Sequence, residues 1–460
     1  MGIKKGIDRL ISILGKGKVF TDKSYISTYS YDSTNIFMEP DVVVFPESEE
    51  DVVNILKVAN EFSIPVVARG AGTSRSGGPL PLKGGIVISF TKMNRIKAID
   101  RINMCAIVEP GVVTADLNEE AKRFGLYYPP DPSSFRVSTI GGNISHNAGG
   151  IHAVKYGVTK NYLLGMRAVL MDGRVISLGG RVVKSVVGYD LMRLICGSEG
   201  TLAVITEATL RLIPGPESRA LLVIPFADEF EWIEVIQRIF ESGVLPCSIE
   251  YMDSACISVN KRVSEYDNFN KGGCESLVFI ELDGNKRSVE YEREKIGNLL
   301  NLIGKRDYIS TLDPPEIERL WDIRRDISPS LNAVGRFRIA DDVSIPLSNL
   351  RSAVVELKGF ARENSLKIAI FGHAGDSNLH INFLFDSQSE MEKYFDMIMR
   401  KIAEVVIKYG GSISGEHGVG VLKRDYSQEE LDKNAIEIMR EIKKIFDPKG
   451  LLNPGKIFKT

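Results

Sequence analysis

At 460 residues the chain exceeds what one ordinary hydrophobic core supports, so two or three domains are expected. Hydrophobic residues make up 43% and charged residues 26%, the balance of a soluble globular protein. Lys and Arg (58) nearly match Asp and Glu (60) for a net charge of −2, and no basic stripe marks a nucleic-acid-binding surface.

The chain opens Met-Gly-Ile-Lys-Lys-Gly-Ile-Asp-Arg, with charges set between its apolar residues, which excludes a secretory signal core. No later apolar run approaches the ~20 residues of a membrane span. A cytoplasmic protein is expected, with peripheral docking at a membrane left open. The first 35 residues read as an amphipathic helix and a polar connection. Val42 to Phe45 is a strand ended by Pro46, and Ser48 is an N-cap for a helix carrying Val52, Ile55, Leu56, Ala59 and Phe62 at helical spacing. Ile64 to Ala68 returns as a strand. Ile86 to Ile88, Ala106 to Val108 and Val169 to Met171 are further strands. Pro214-Gly215-Pro216 marks a domain boundary. Beyond it Leu221 to Phe226, Ser248 to Met252 and Leu277 to Leu282 read as strands alternating with helices, such as the one over Lys286 to Ile303. That order predicts a ferredoxin-like α+β domain in two halves. The expected division is a first domain over 1–215, a second over 216–445, and a turn-rich tail over 446–460 that returns toward the first domain.

The first half is dense in glycine loops. Arg69-Gly70-Ala71-Gly72-Thr73-Ser74-Arg75-Ser76-Gly77-Gly78 exposes successive backbone N–H groups, an anion cradle suited to a pyrophosphate. It is not a Rossmann fingerprint, because Arg75 stands where glycine is required, nor a P-loop, since no Gly-Lys-Ser/Thr follows. Pro129-Pro130-Asp131-Pro132-Ser133, Thr139 to Asn143, Asn147 to Gly150 and Gly197 to Thr206 follow in order. This succession resembles the FAD-binding domain of the vanillyl-alcohol oxidase type. With the C-terminal half, it is similar to the glycolate oxidase D-subunit and D-lactate dehydrogenase group, from about Pro40 to Phe458. The resemblance implies an α+β fold: a two-part FAD-binding domain and a ferredoxin-like cap. It implies that Arg69, Gly70, Gly72, Thr73, Ser74, Ser76 and Gly77 embrace the FAD pyrophosphate. Pro130, Asp131, Ser133, Gly142, Asn143 and Gly149 then run along the cofactor. Glu199, Gly200 and Ile205 hold its adenosine or ribityl side, and Asn453 joins the site. The first loop has no His or Cys, so the FAD is expected to be non-covalent. His146 and His152 are read as loop hydrogen-bonding residues.

Two histidine clusters carry the remaining chemistry: His373-Ala-Gly-Asp-Ser-Asn-Leu-His380 and Ser414-Gly-Glu416-His417-Gly. Asn378, His380 and Asn382 alternate with Leu379, Ile381 and Phe383, so one face of a strand offers an imidazole and a carboxamide to a cleft. Gly372 and Gly375 let the turn bring His373 beside His380. Gly415 and Gly418 let both Glu416 and His417 face the site. Such ligands suit zinc, manganese or ferrous iron. The family pattern gives His373, His380 and Glu416 to a divalent metal, His417 to proton abstraction, and Arg324 and Ser328 to a substrate carboxylate. Arg324 and Ser328, four apart in a predicted helix, are expected on one face. Relatives acting on D-2-hydroxyglutarate have a lysine where Ala340 aligns, so a monocarboxylate such as D-lactate or glycolate is favoured. Arg336 and Arg338 are nearby cations able to replace that lysine.

The expected protein is an FAD-dependent D-2-hydroxy-acid dehydrogenase. Its five cysteines form no Cys-x-x-Cys pair, so no internal iron–sulfur cluster is expected. The electron acceptor is therefore external: a quinone, a cytochrome, an iron–sulfur subunit or an electron-transfer flavoprotein. A homodimer is a reasonable assembly. The alternatives are a D-2-hydroxyglutarate dehydrogenase, a non-redox transferase resembling alkylglycerone-phosphate synthase, and a catalytically silent flavin subunit. The intact histidine and carboxylate set argues against the last two.

Overall fold

The structure is a computed structural model that describes residues 2–34, 36–270 and 273–458, the side chains of Asn268 and Asn270 excepted. It divides into two compact units. The first comprises Met1–Gly150, Val158–Gly215 and Glu416–Thr460; the second comprises Ile151–Gly157 and Pro216–Gly415. The segment Glu416 to Ile445, expected from sequence with the second domain, falls in the first unit, and the tail after it returns there as expected. Hydrogen bonds hold the segment: Ser76 Oγ donates to His417 O, Val419 N and Gly420 N donate to the Glu199 carboxylate, and Lys443 Nζ donates to Thr201 O. In the tail, Val66 N donates to Leu451 O, Asn453 N to Val66 O, and the Asn453 amide to Gly78 O and Glu199 O.

In the first unit, α1 (Gly2–Leu14) lays Leu10 and Leu14 against a core shared with β1 (Val19–Phe20), β2 (Val42–Val44) and α2 (Glu49–Glu61). Ser48 caps α2 as expected, its hydroxyl accepting from Asp51 N at 3.1 Å. Next come β3 (Val66–Arg69) and β4 (Ile86–Ser89). The four strands run in the order β1-β2-β4-β3, with β4 parallel to both neighbours. A β-α-β arrangement of this kind places the C-terminal ends of β3 and β4 at the same edge, and the glycine loop leaves directly from β3. The second sheet of the unit is antiparallel. It contains β5 (Ile96–Asp100), β6 (Cys105–Val108), β7 (Leu163–Val169), β8 (Val175–Gly179) and β9 (Val204–Arg211) in the order β5-β6-β9-β7-β8. Between β6 and β7, α3 (Ile140–His146) is capped by Thr139 and stopped by Asn147 in the left-handed region at φ 51°.

The second unit is built on one seven-stranded antiparallel sheet. Its strands are β10 (Ser218–Phe226), β11 (Ser248–Asp253), β12 (Ser276–Gly284), β13 (Ile309–Thr311), β14 (Phe337–Ser344), β15 (Lys367–His373) and β16 (Asn378–Phe385). They are ordered β13-β10-β12-β11-β15-β16-β14. The first four form a ferredoxin-like unit, with helices Glu231–Glu241 and Lys286–Leu302 crossing between strands. The last three, with helix Leu347–Glu363, form half of another, which extends the same sheet. Leu379, Ile381 and Phe383 are fully buried, as the alternation in β16 predicted.

One expected helix is broken. Arg324 and Ser328 belong to two helices, α4 (Pro314–Arg325) and α5 (Ile327–Leu331), with Asp326 between them. Pro329 has no N–H to offer the carbonyl of Arg325 and its ring crowds that turn, so the helix interrupts there. No helix among the described residues is long and apolar enough to cross a membrane.

Candidate active site

In the first unit the glycine loop opens onto a cavity of about 360 Å³. Its wall holds Arg69, Gly70, Gly72, Thr73, Ser74, Ser133, Gly142, Asn143, Glu199, Gly200 and Ile205 of the expected cofactor residues, and also Glu416 and His417. Five successive backbone N–H groups, Ala71 to Arg75, donate to no protein acceptor among the described residues. Successive unpaired N–H groups along a cavity wall are what an anion such as a pyrophosphate requires. Beneath them Arg69 is buried, with Nη2 donating to Tyr31 O at 2.7 Å and Nη1 without a partner among the described residues. Gly72, at φ 74°, lies so close that a Cβ there would be 2.2 Å from Arg69 Nη2. The loop must therefore be glycine at that point, both for its dihedral and for the guanidinium under it. Burial pushes the Asp32 carboxyl up and the Lys456 ammonium down, the latter to about 8.

The other expected cofactor residues brace the wall instead of lining it. Ser76 Oγ donates to His417 O at 2.9 Å, and Gly77 packs closely against Val421. Asn453 Nδ2 donates to Gly78 O at 3.1 Å and to Glu199 O at 2.7 Å. Gly149 passes the Glu416 carboxylate, where a Cβ would lie 3.4 Å from Oε2. Asp131 backs onto Gly150, and neither Pro130 nor Asp131 reaches the wall. Glu199 lines the cavity, yet its two carboxylate oxygens are spent on the C-terminal segment. Oε1 accepts from Val419 N at 2.7 Å and Oε2 from Gly420 N at 2.8 Å. It thereby fixes the turn that carries Glu416 and His417. Ser33, Phe90, Pro110, Val137 and Ser138 also line the cavity and were not singled out from sequence, since no motif marks them. His146 does line it, with Nδ1 buried and unpartnered among the described residues.

In the second unit one face of the sheet gathers the other expected residues. Across the β15–β16 pair, His373 lies opposite Asn378 and Phe371 opposite His380. The two imidazoles are diagonal neighbours, with ring centroids 5.1 Å apart and planes at 85°. Asn382 continues the same face, buried, its amide donating to His380 O at 3.2 Å. Gly372 permits the close hairpin, because a Cβ there would stand 2.4 Å from Asn378 O. Glu250 on β11, fully buried, lies opposite His373. Its Oε1 is 2.6 Å from His373 Nδ1, and its Oε2 accepts from Arg324 Nε at 2.7 Å. The Arg324 guanidinium also sits 4.8 Å from the centre of the Phe371 ring. Ser328 Oγ accepts from Arg338 Nη2 at 2.8 Å. Sequence reasoning passed over Glu250, and only the register of β11 with β15 exposes it.

A separate trio in this unit, His152, Cys247 and Glu281, brings its ligand atoms within 4.8 Å of one another. Glu281 is already ion-paired with Arg219 and 3.2 Å from His152 Nε2, while burial pushes the Cys247 thiol up to about 12. Both Glu281 oxygens are thereby already engaged by protein partners. His373 and His380 are a better donor pair. A carboxylate accepts hydrogen bonds but donates none, so His373 Nδ1 carries the proton and the ring's lone pair is on Nε2.

The sequence patterns described as "FAD binding domain" and "FAD linked oxidases, C-terminal domain" match residues 40–179 and 215–457. Glycolate oxidase subunit GlcD of Bacillus subtilis (strain 168) is 36% identical over 458 residues, covering 98% of this chain and 96% of its own. D-lactate dehydrogenase of Anaerostipes hadrus is 34% identical over 93% of this chain and 92% of its own. D-2-hydroxyglutarate dehydrogenase of Stutzerimonas stutzeri (strain A1501) is 33% identical over 98% of each. Among solved structures, p-cresol methylhydroxylase with substrate bound aligns at TM-score 0.79 and 17% identity over 100% of this chain and 97% of its own. Alkyldihydroxyacetonephosphate synthase aligns at TM-score 0.78 and 20% identity over 98% of this chain and 85% of its own. Likeness at such identities speaks to the fold alone. With both patterns matched and whole-length relatives above 30% identity, the chain belongs to the FAD-linked oxidase family and is an FAD-binding oxidoreductase of the vanillyl-alcohol oxidase fold type.

Proposed function

We propose that the protein oxidises a small D-2-hydroxy acid, D-lactate or glycolate, to the 2-oxo acid and passes the electrons to an external acceptor. The observation that carries this reading is that Glu416 and His417 stand in the wall of the same cavity as the unpaired N–H groups of the glycine loop. The relatives named for glycolate, D-lactate and D-2-hydroxyglutarate support the substrate class. FAD, when bound, supplies the two-electron acceptor for the hydride on the α-carbon. His373 and His380, with Glu416 as the third ligand that the family pattern assigns, would hold a divalent cation, which would supply Lewis acidity at the substrate hydroxyl.

The protein's own residues do the remaining work. His417 takes the hydroxyl proton, a task suited to an imidazole near neutral pH. Arg324, oriented by Glu250 and Phe371, binds the substrate carboxylate, and Ser328 adds a hydroxyl. Asn382 offers its carboxamide to the substrate. FAD is held without a covalent link, since the loop over Arg69 to Gly78 contains neither His nor Cys. The acceptor is a quinone, a cytochrome, an iron–sulfur subunit or an electron-transfer flavoprotein.

A dicarboxylate such as D-2-hydroxyglutarate is the second reading, and Arg338 favours it. On β14 it shares a face with Ala340, two residues on, and Ala340 is paired with Asn382. The guanidinium that rests on Ser328 is then a second cation for a distal carboxylate. The test is anaerobic mixing of the holoprotein with D-lactate, glycolate, D-2-hydroxyglutarate and L-lactate, before and after chelation and metal restoration. Metal-dependent bleaching of the flavin by a D-acid or glycolate is expected. No bleaching by any of them, with FAD fully bound, refutes the reading and favours a transferase or a silent subunit.

A further inference from the structure

We infer that Glu250 is a positioning residue that orients a metal ligand and the carboxylate-binding arginine together, one with each of its oxygens. The inference rests on the reading just proposed and deepens it. Three independent contacts converge on this side chain's neighbourhood. The β11–β15 register sets Glu250 directly opposite His373. Oε1 lies 2.6 Å from His373 Nδ1, while Oε2 accepts from Arg324 Nε at 2.7 Å. Phe371, two residues before His373 and so on the same face, stacks under the Arg324 guanidinium at 4.8 Å. The carboxylate is fully buried, and both of its nearest partners are nitrogen donors.

The chemistry of the two partners explains why one carboxylate serves both. A histidine that donates from Nδ1 presents Nε2 as its only lone pair, which fixes both the tautomer and the ring plane offered to a cation. An arginine held at Nε keeps its two Nη groups for a second carboxylate, in the fork geometry that binds bidentately. No other hydrogen bond engages the Arg324 guanidinium among the described residues. Any shift of Glu250 therefore moves the metal-facing nitrogen and the substrate-facing edge in concert. An amide in its place cannot do this. It has one acceptor and one donor, so either His373 is driven to the opposite tautomer, with a proton on Nε2, or Arg324 loses its anchor.

The experiment uses FAD-loaded full-length protein and zinc or manganese alone, without substrate. The affinity of each ion is measured by chelator competition for wild type, Glu250→Gln and Arg324→Lys, and the electron paramagnetic resonance spectrum of bound manganese is recorded. KM and kcat for the best hydroxy acid are then compared. Glu250→Gln is expected to weaken metal binding by about 10–100-fold, alter the manganese spectrum and raise KM. Arg324→Lys is expected to raise KM by about tenfold or more while leaving the metal affinity within about twofold. If Glu250→Gln does not fold, Glu250→Asp, which keeps the charge but withdraws it by one methylene, is read the same way. Unchanged metal affinity, spectrum and KM in the folded Glu250 variant overturn the inference. A wild type that binds neither ion overturns the metal reading itself, a distinct result.

Discussion

Replacing Glu199 by glutamine isolates the link between the flavin cavity and the segment that carries His417. The carboxylate accepts two backbone N–H groups, from Val419 at 2.7 Å and Gly420 at 2.8 Å. Glutamine can accept one of them and turns an NH₂ toward the other. Its backbone, at φ 52° in the wild type, faces the same dihedral cost before and after, so that cost cancels. One charge-assisted bond is lost, at about 1.5–3 kcal/mol, and the other falls to the strength of a neutral one, for a total of about 2–4 kcal/mol. For a unit of this size that corresponds to a drop in Tm of about 5–12 °C. Releasing the turn also displaces His417, and a misplacement near 1 Å costs on the order of 10²-fold in the chemical step. Differential scanning calorimetry of the holoprotein and stopped-flow flavin reduction read the two effects separately. A variant that melts and reduces like wild type refutes the assignment of Glu199 as the anchor of residues 418–420.

Two glycines give opposite expectations under the same substitution. Gly415→Ala places a Cβ 2.0 Å from Asn378 Nδ2 and 2.6 Å from Asn378 Cγ, so the buried amide must move and stability falls by about 1–3 kcal/mol. Gly359→Ala, in a helix with open space around the new methyl, is expected to raise stability by about 0.4–1 kcal/mol, visible as a higher Tm. Glu356 governs part of the acid limb. Hydrogen bonds from Lys401 and Lys408 lower its pKa from 4.5 to about 2. Its contribution is complete above pH 4.5 and is lost as pH falls toward 2, so Glu356→Gln flattens urea-measured stability between those values by about 1 kcal/mol.

Much of this was written locally in the chain. Leu379, Ile381 and Phe383 announce β16, and Ser48 announces the start of α2, because burial on one face and helix capping act over a few residues. What stayed hidden depends on register and on distant pairings. Every residue of β11 is buried, so no alternation distinguishes Glu250 from its neighbours, and its partner His373 is 123 residues away. Glu199 and Val419 are 220 residues apart. The helical period over Leu320 to Ser328 suggested one face, but Pro329 breaks the turn just beyond it. Gly415 and Gly418 looked equivalent in sequence and have different reasons to be glycine. Gly415 yields room to Asn378, whereas Gly418 adopts φ 80° and lies against His146 and Glu199.

The measurement that bears most directly on the account is anaerobic single-turnover reduction of the bound flavin in wild type and His417→Gln, using D-lactate with protium or deuterium on the α-carbon. Bleaching is expected in wild type, slower with deuterium, and the variant is expected to keep its FAD but reduce it at least about 100-fold more slowly. A variant that bleaches at the wild-type rate, or a rate indifferent to the isotope in both proteins, would contradict His417 as the base and hydride transfer from the α-carbon as the step it serves.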